Sequence, residues 1–516
     1  MTASRLRVSL LGAALASGCA SGAAPATTAP PAVTAPPPEV TPPPVPAVPA
    51  SRDRAEILAS TLDAVLASPT FHRASVGVVV RSLDTGATLF RRNGQTWLVP
   101  ASTMKVLTAV AAAERLGWGY RFETRLFATG PIVNGVLDGD LLVVGTGDPT
   151  INPRHPARAD AFDRWAEALR ARGIRRINGH VVGDDSAIAP PGLGIGWAWD
   201  DLVEDYGAAY GALQYRDSVV EVTMGPGRTP GAPPVVYLSP ANHGLLVDVQ
   251  AVTAAEDTPP SLSVSRPLGT RFLEVRGQAP LGSAPMTLPV AVANPTHYFT
   301  GELRATLQRR GIVVDGQGVD IDDASDRPRA GDGTLLLVDQ SAPLAEIVQQ
   351  MLEWSLNNYA ESLVVALDQT APASGTEGVG VLRDTLTGLG VPPESYHTRD
   401  GSGLSRNDYL SADALVAVLT AAWDRPHLRD TLKGVLPVAG GDGTLGRRLK
   451  GSPGEGRVFA KTGSMSNVRS LAGYVDTLAG ESLAFAIISN GFDVRASEVD
   501  ARVDELLLAL VSLPRQ

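Results

Sequence analysis

Apolar residues recur at helical spacing from Arg54 to Ala67, where Ile57, Leu58, Leu62, Val65 and Leu66 fall mostly on one face. The period then shortens. Ser75 to Arg81 and Ala87 to Arg92 read as two strands, with Asp84-Thr85-Gly86 as the hairpin turn between them. Pro100-Ala101-Ser102 opens a long apolar helix through Leu116, and Ile132 to Gly145 reads as another hairpin. From about 150 to 335 the texture changes to frequent Pro and Gly with short strands. Helical periodicity returns from Leu344 to Leu367. Arg457 to Asn490 reads as three strands, and Ser497 to Leu513 as a closing amphipathic helix. Sheet and helices at both ends of a strand-rich middle predict one α/β domain split by a large insertion.

Composition narrows the class. The chain has 516 residues, 44% hydrophobic and 19% charged, which suits a packed core and excludes wholesale disorder. A net charge of −10 without a long basic run argues against nucleic-acid binding. No run reaches the roughly 18 apolar residues of a membrane-crossing helix. A single cysteine, Cys19, excludes a disulfide scaffold and a cysteine zinc site. Of the 44 basic residues only four are lysine: Lys105, Lys433, Lys450 and Lys461.

The first 19 residues read as an export signal. Arg5 and Arg7 precede a short apolar run from Val8 to Ala16, and Ser17-Gly18-Cys19 supplies a small-residue cleavage site. Leu15-Ala16-Ser17-Gly18-Cys19 resembles a bacterial lipobox, with Ala16 where leucine is usual; Cys19 would carry the lipid. Residues after Cys19 lack aspartate, which resembles an outer-membrane-directed lipoprotein if the cell has two membranes. Residues 20–50 are rich in Pro, Ala, Thr and Val and read as an extended tether. At about 3.1 Å per residue it spans up to about 90 Å.

Three short motifs carry chemistry. Ser102 and Lys105 stand three apart at a helix start, so the lysine amine can reach the serine hydroxyl. Serine needs a base to become a nucleophile; a lysine with a lowered pKa can serve, and arginine cannot. Ser355-Leu356-Asn357 lies between two apolar half-helices. Lys461-Thr462-Gly463 sits inside a predicted strand, where glycine permits close backbone approach and lysine offers a cation to a carboxylate. Each alone is weak: a capping serine, a local kink and a bulged strand end explain them as well. Together, and in this order, they match the penicillin-recognising serine enzymes.

The chain thus resembles the D-alanyl-D-alanine carboxypeptidase/endopeptidases among the low-molecular-mass penicillin-binding proteins, in the subgroup with a large insertion after S-x-x-K. About 250 residues separate Lys105 from Ser355, more than in a β-lactamase. Gly145–Thr150, Gly196–Asp201, Asp400–Arg406 and Pro437–Leu445 look like the same subgroup but receive no catalytic role. Leu356 replaces a frequent aspartate, and Ser464 a frequent threonine.

The resemblance implies a penicillin-binding, transpeptidase-like catalytic domain, an antiparallel sheet flanked by helices, at 51–145 and 336–516. Inserted domains would fill 146–335, the inner one about 190–285. It implies Ser102 as nucleophile, Lys105 as its base and Ser355 as proton carrier to the leaving amine. Asn357, Lys461, Thr462, Gly463 and Ser464 would bind substrate, with the Ser102 and Ser464 amides as oxyanion hole. Peptidoglycan stem peptides would be substrates, β-lactams inhibitors, and the membrane a partner through lipid alone. No metal or organic cofactor is implied.

Other classes remain open. They are an inert wall-binding lipoprotein on the same scaffold, or a related esterase or β-lactamase. A Ser-His-Asp hydrolase has no G-x-S-x-G elbow, and His155 and His297 have no motif context. Gly441–Gly446 fits G-x-G-x-x-G but lacks a preceding strand, so a turn is the better reading.

Overall fold

The structure is a computed structural model that describes residues 50–515 except 154, 156, 157 and 371. Cys19, the export signal and nearly all of the Pro-rich stretch lie outside the described residues. No helix among the described residues is long and apolar enough to cross a membrane.

The principal sheet is antiparallel and buried on both faces. Its strand order is Thr88–Arg92, Ser75–Ser82, Ser482–Asn490, Val468–Asp476 and Val458–Met465. Side chains alternate between two cores, as the period of two dictates. Leu483, Phe485 and Ile487 face one, with Ala50–Leu66 and the closing helix Ala496–Val511. Ala484, Ala486 and Ile488 face the other, packed against the Met104–Leu116 helix and its neighbours. That helix is apolar nearly all round, the signature of a fully enclosed helix. Val106, Leu107 and Val110 are at most 1% exposed, and each such burial contributes about 1.5–3 kcal/mol. The helix start is therefore held rigidly over the sheet.

A second five-stranded sheet organises the middle of the chain, in the order Gly318–Asp320, Val181–Asp184, Leu141–Val144, Glu123–Ala128 and Thr334–Gln340. Trp165, Phe299 and Leu303, from helices Ala161–Ala171 and Pro295–Arg309, fill its core. The sequence boundaries at 145 and 336 fall inside this sheet, whose first and last strands are Glu123–Ala128 and Thr334–Gln340. Ile132–Gly145 is also not one hairpin. Ile132–Val133 turns back onto Val136–Leu137, whereas Leu141–Val144 pairs with Glu123–Ala128. Further out, Val219–Gly225 pairs with Val235–Ser239 and Met286–Ala291 around a separate core containing Val222, Leu273 and Val275.

Gly441–Gly446 forms a tight turn at Gly443–Leu445, with the Gly446 amide donating to Gly443 O. A side chain at Gly443, where φ is +66°, would meet the Glu353 backbone.

Candidate active site

Ser102 stands in a short 3-10 turn, Ala101–Thr103, that leads directly into the Met104 helix. The preceding Ala101 has φ +47°, a left-handed conformation costly for a residue with a Cβ. Neighbours hold it there. Thr103 Oγ1 and Ser470 Oγ both donate to Pro100 O, at 2.8 and 2.5 Å. Gly403 has room for no side chain, since a Cβ would lie 2.0 Å from Ala101 O.

Lys105 Nζ lies one turn on, 3.0 Å from Ser102 Oγ, 2.6 Å from Asn357 Oδ1 and 2.8 Å from the Ser402 carbonyl. Asn357 Nδ2 donates to Tyr206 O at 2.7 Å, which turns Oδ1 toward the lysine. Lys105 is fully buried. Burial lowers its pKa to about 7, against the opposing pull of Asp400 and Glu361.

Ser355 and Asn357 flank the break between helices Leu344–Trp354 and Asn357–Leu367. Ser355 takes the left-handed conformation, φ +64° and ψ +34°, where a helix end usually places glycine. A cleft of about 450 Å³ opens here, lined by Ser102, Ser355, Asn357 and Ser464, with Tyr206 and Arg406 at its walls.

The Lys461 strand runs two residues past Gly463 to Met465, so the motif is not at a frayed strand end. Lys461 is fully buried and donates to Thr462 O at 2.8 Å. Burial, then the nearby Lys105 charge, hold its pKa well below the usual lysine value. Gly463 is packed on the serine turn: an added Cβ would lie 2.1 Å from Ser470 Oγ, 2.6 Å from Pro100 O and 3.1 Å from Ser102 N. Thr462 is half-buried, and Ser464 is exposed in the cleft. The structure thus brings Ser102, Lys105, Ser355, Asn357 and the Lys461–Ser464 strand to one place.

Sequence reasoning missed a supporting layer. Asp400–Arg406, given no catalytic role, supplies the Ser402 carbonyl to Lys105. Glu361 holds that loop: its carboxylate accepts from Ser402 N at 2.8 Å and Gly401 N at 3.1 Å. Asp400 folds the rest, accepting from Gly403 N, Ser405 N and Trp197 Nε1. Burial and neighbouring Asp400 raise the pKa of Glu361 and of Asp408. The missed signal was Glu361 itself, a charge inside an apolar helix four residues after Asn357 and hence on its face. By contrast, Asp148 of Gly145–Thr150 is structural: Arg158 bridges it to Asp339.

Glu361→Ala strips two buried amides of their acceptors. Each costs about 1–3 kcal/mol, so chemical denaturation should show a matching loss of stability. Wild-type stability would show that the loop does not depend on this carboxylate.

A helix-borne serine–lysine pair against the edge strand of an antiparallel sheet, faced by a serine–asparagine helix break, defines a penicillin-recognising serine hydrolase. The chain belongs to the D-Ala-D-Ala carboxypeptidase 3 (S13) family, whose sequence profile matches residues 58–509. It is 35% identical over 460 residues to a D-alanyl-D-alanine carboxypeptidase of an Actinomadura species, covering 86% of this chain and 82% of that one. It is 31% identical over 430 residues to the D-alanyl-D-alanine carboxypeptidase DacB of Haemophilus influenzae, covering 81% and 86%. The crystal structure of penicillin-binding protein 4 from that organism superposes with a TM-score of 0.75 at 29% identity, covering 88% of this chain and 98% of that one. The same protein complexed with a β-lactam gives a TM-score of 0.70 at 28% identity, covering 89% and 99%.

Proposed function

We propose that this protein is a serine-type D-Ala-D-Ala carboxypeptidase, with DD-endopeptidase action where the same bond lies in a cross-link. One observation carries the reading. A neutral lysine amine has two hydrogens and one lone pair. Asn357 Oδ1 and Ser402 O can only accept, and they engage two N–H bonds of Lys105. The lone pair is left for the hydroxyl of Ser102, 3.0 Å away.

The steps follow from that arrangement. Lys105 takes the Ser102 proton as Oγ attacks the carbonyl carbon between two D-alanines. The Ser102 and Ser464 amides stabilise the oxyanion, each such donor contributing about 10²–10³ in rate. The C–N bond then breaks, and Ser355 passes the proton from Lys105 to the departing amine. Water attacks the ester and releases the second product, restoring Ser102. Asn357 orients the substrate amide as well as Lys105, while Lys461 and Thr462 receive the terminal carboxylate, or its β-lactam equivalent. No step calls on a metal or organic cofactor.

In the same reading, Cys19 carries lipid after export, and residues 20–50 let the catalytic body reach peptidoglycan from the membrane surface. The insertion is assigned the residues between about 123 and 340.

A labelled penicillin tests the chemistry. The wild type forms a long-lived covalent adduct and Ser102→Ala forms none. Absence of any adduct would favour an inert scaffold, and rapid release with lactam hydrolysis a β-lactamase. Mass analysis of digested peptidoglycan, reading free D-alanine against separated stems, divides carboxypeptidase from endopeptidase action.

A further inference from the structure

A second cavity, of about 410 Å³, adjoins the segment 201–207 that also walls the catalytic cleft. Leu202 and Gly207 line this cavity, while Asp201, Asp205 and Tyr206 line the cleft. Leu193, Leu268 and Val292 give the cavity apolar walls, and Arg266 and Arg271 give it two cations.

Arg266 is the informative residue. Its Nη1 donates to Ala291 O at 2.8 Å and its Nη2 to Leu202 O at 2.7 Å. A guanidinium has five N–H donors, so three are left after these bonds. Among the described residues no carboxylate pairs with it, and burial without a countercharge lowers its pKa. A partly buried cation without a counterion is costly. Its two carbonyl bonds fix the plane of the fork, which suits two-point binding of a carboxylate.

We propose that this cavity is a second ligand site for an organic carboxylate with a short apolar body, as an acylated amino acid or peptide end presents. The guanidinium of Arg266 takes the carboxylate, Arg271 adds charge at the mouth, and the leucine and valine walls take the apolar part. The site is separate from the serine and holds whether or not the catalytic reading does. Its occupant would press on Leu202, four residues before the Tyr206 carbonyl that holds Asn357.

The test is calorimetric titration of the full chain with hexanoate, hexanamide and inorganic phosphate. Hexanoate binds saturably, and hexanamide binds at least about tenfold more weakly, because a hydrogen bond to a charged group is worth about 1.5–3 kcal/mol. Arg266→Gln weakens hexanoate by a similar factor, and Arg266→Lys recovers part of it. A purely structural arginine would change the melting temperature and leave affinity alone, and that result overturns the proposal. Should Arg266→Gln fail to fold, Leu268→Glu decides, since Leu268 is 61% exposed. It sets a competing carboxylate at the mouth, and unchanged affinity there overturns the proposal. Phosphate binding tighter than hexanoate would also overturn it, in favour of a phosphate site.

Discussion

Replacing Lys105 with arginine slows acylation of Ser102 by a labelled penicillin by orders of magnitude, although the positive charge is kept. The guanidinium stays protonated and has no lone pair to give. It also cannot fit a fully buried position that already makes three short contacts. General-base catalysis is worth about 10²–10⁴ in rate, so stopped-flow acylation should fall by that factor. The wild-type pH profile carries the same argument. Lys105 titrates near 7, lowered chiefly by burial. Below that pH the amine is protonated and acylation falls about tenfold per unit; above it the rate levels off. An acid limb retained in Lys105→Arg would move the base to another residue.

Gly463→Ala is the second large effect. The methyl carbon would enter space held by Ser470 Oγ, Pro100 O and Ser102 N, two of them backbone atoms that cannot swing away. The Lys461 strand must then withdraw from the serine turn, taking the Ser464 amide with it. Losing one oxyanion donor costs about 10²–10³ in rate, so kcat should fall by that amount while the fold persists. The control is Thr462→Ser, which adds no bulk to the strand. Near-normal kcat in Gly463→Ala would mean that the Ser464 amide takes no part.

The side chains that meet in the cleft were legible because each sits in a short local pattern. Ser102 and Lys105 share a helix face, Ser355 and Asn357 interrupt apolar spacing, and a lysine and a glycine interrupt a strand. The layer behind them was less so: the Glu361 and Asp400 carboxylates act on main-chain amides, and the groups that touch the site residues are ones that every residue carries. Ser402 and Tyr206 contribute main-chain carbonyls, and nothing in a side-chain pattern marks which carbonyl faces a lysine. Strands were legible and their partners less so. Leu141–Val144 is an unbroken apolar run, as a buried strand should be, but its neighbours are Glu123–Ala128 and Val181–Asp184. A period of two specifies a face and leaves the partner to tertiary packing.

The middle of the chain starts and ends at one doorway. Glu123–Ala128 and Thr334–Gln340 run side by side, and Ser341 N donates to Phe122 O at 3.0 Å. What lies between is hung on a closed loop, so chain added far from the contacts with Asp400, Asn357 and Ser362 does not move the two ends. Descendants of this gene can therefore enlarge or trim the outlying parts of that loop, such as the strands Val235–Ser239 and Met286–Ala291, without moving its ends. The stretches around Trp197, Tyr206 and Gln214 are tied to the hydrolytic machinery, because they bond Asp400, Asn357 and Ser362 and must travel with any replacement.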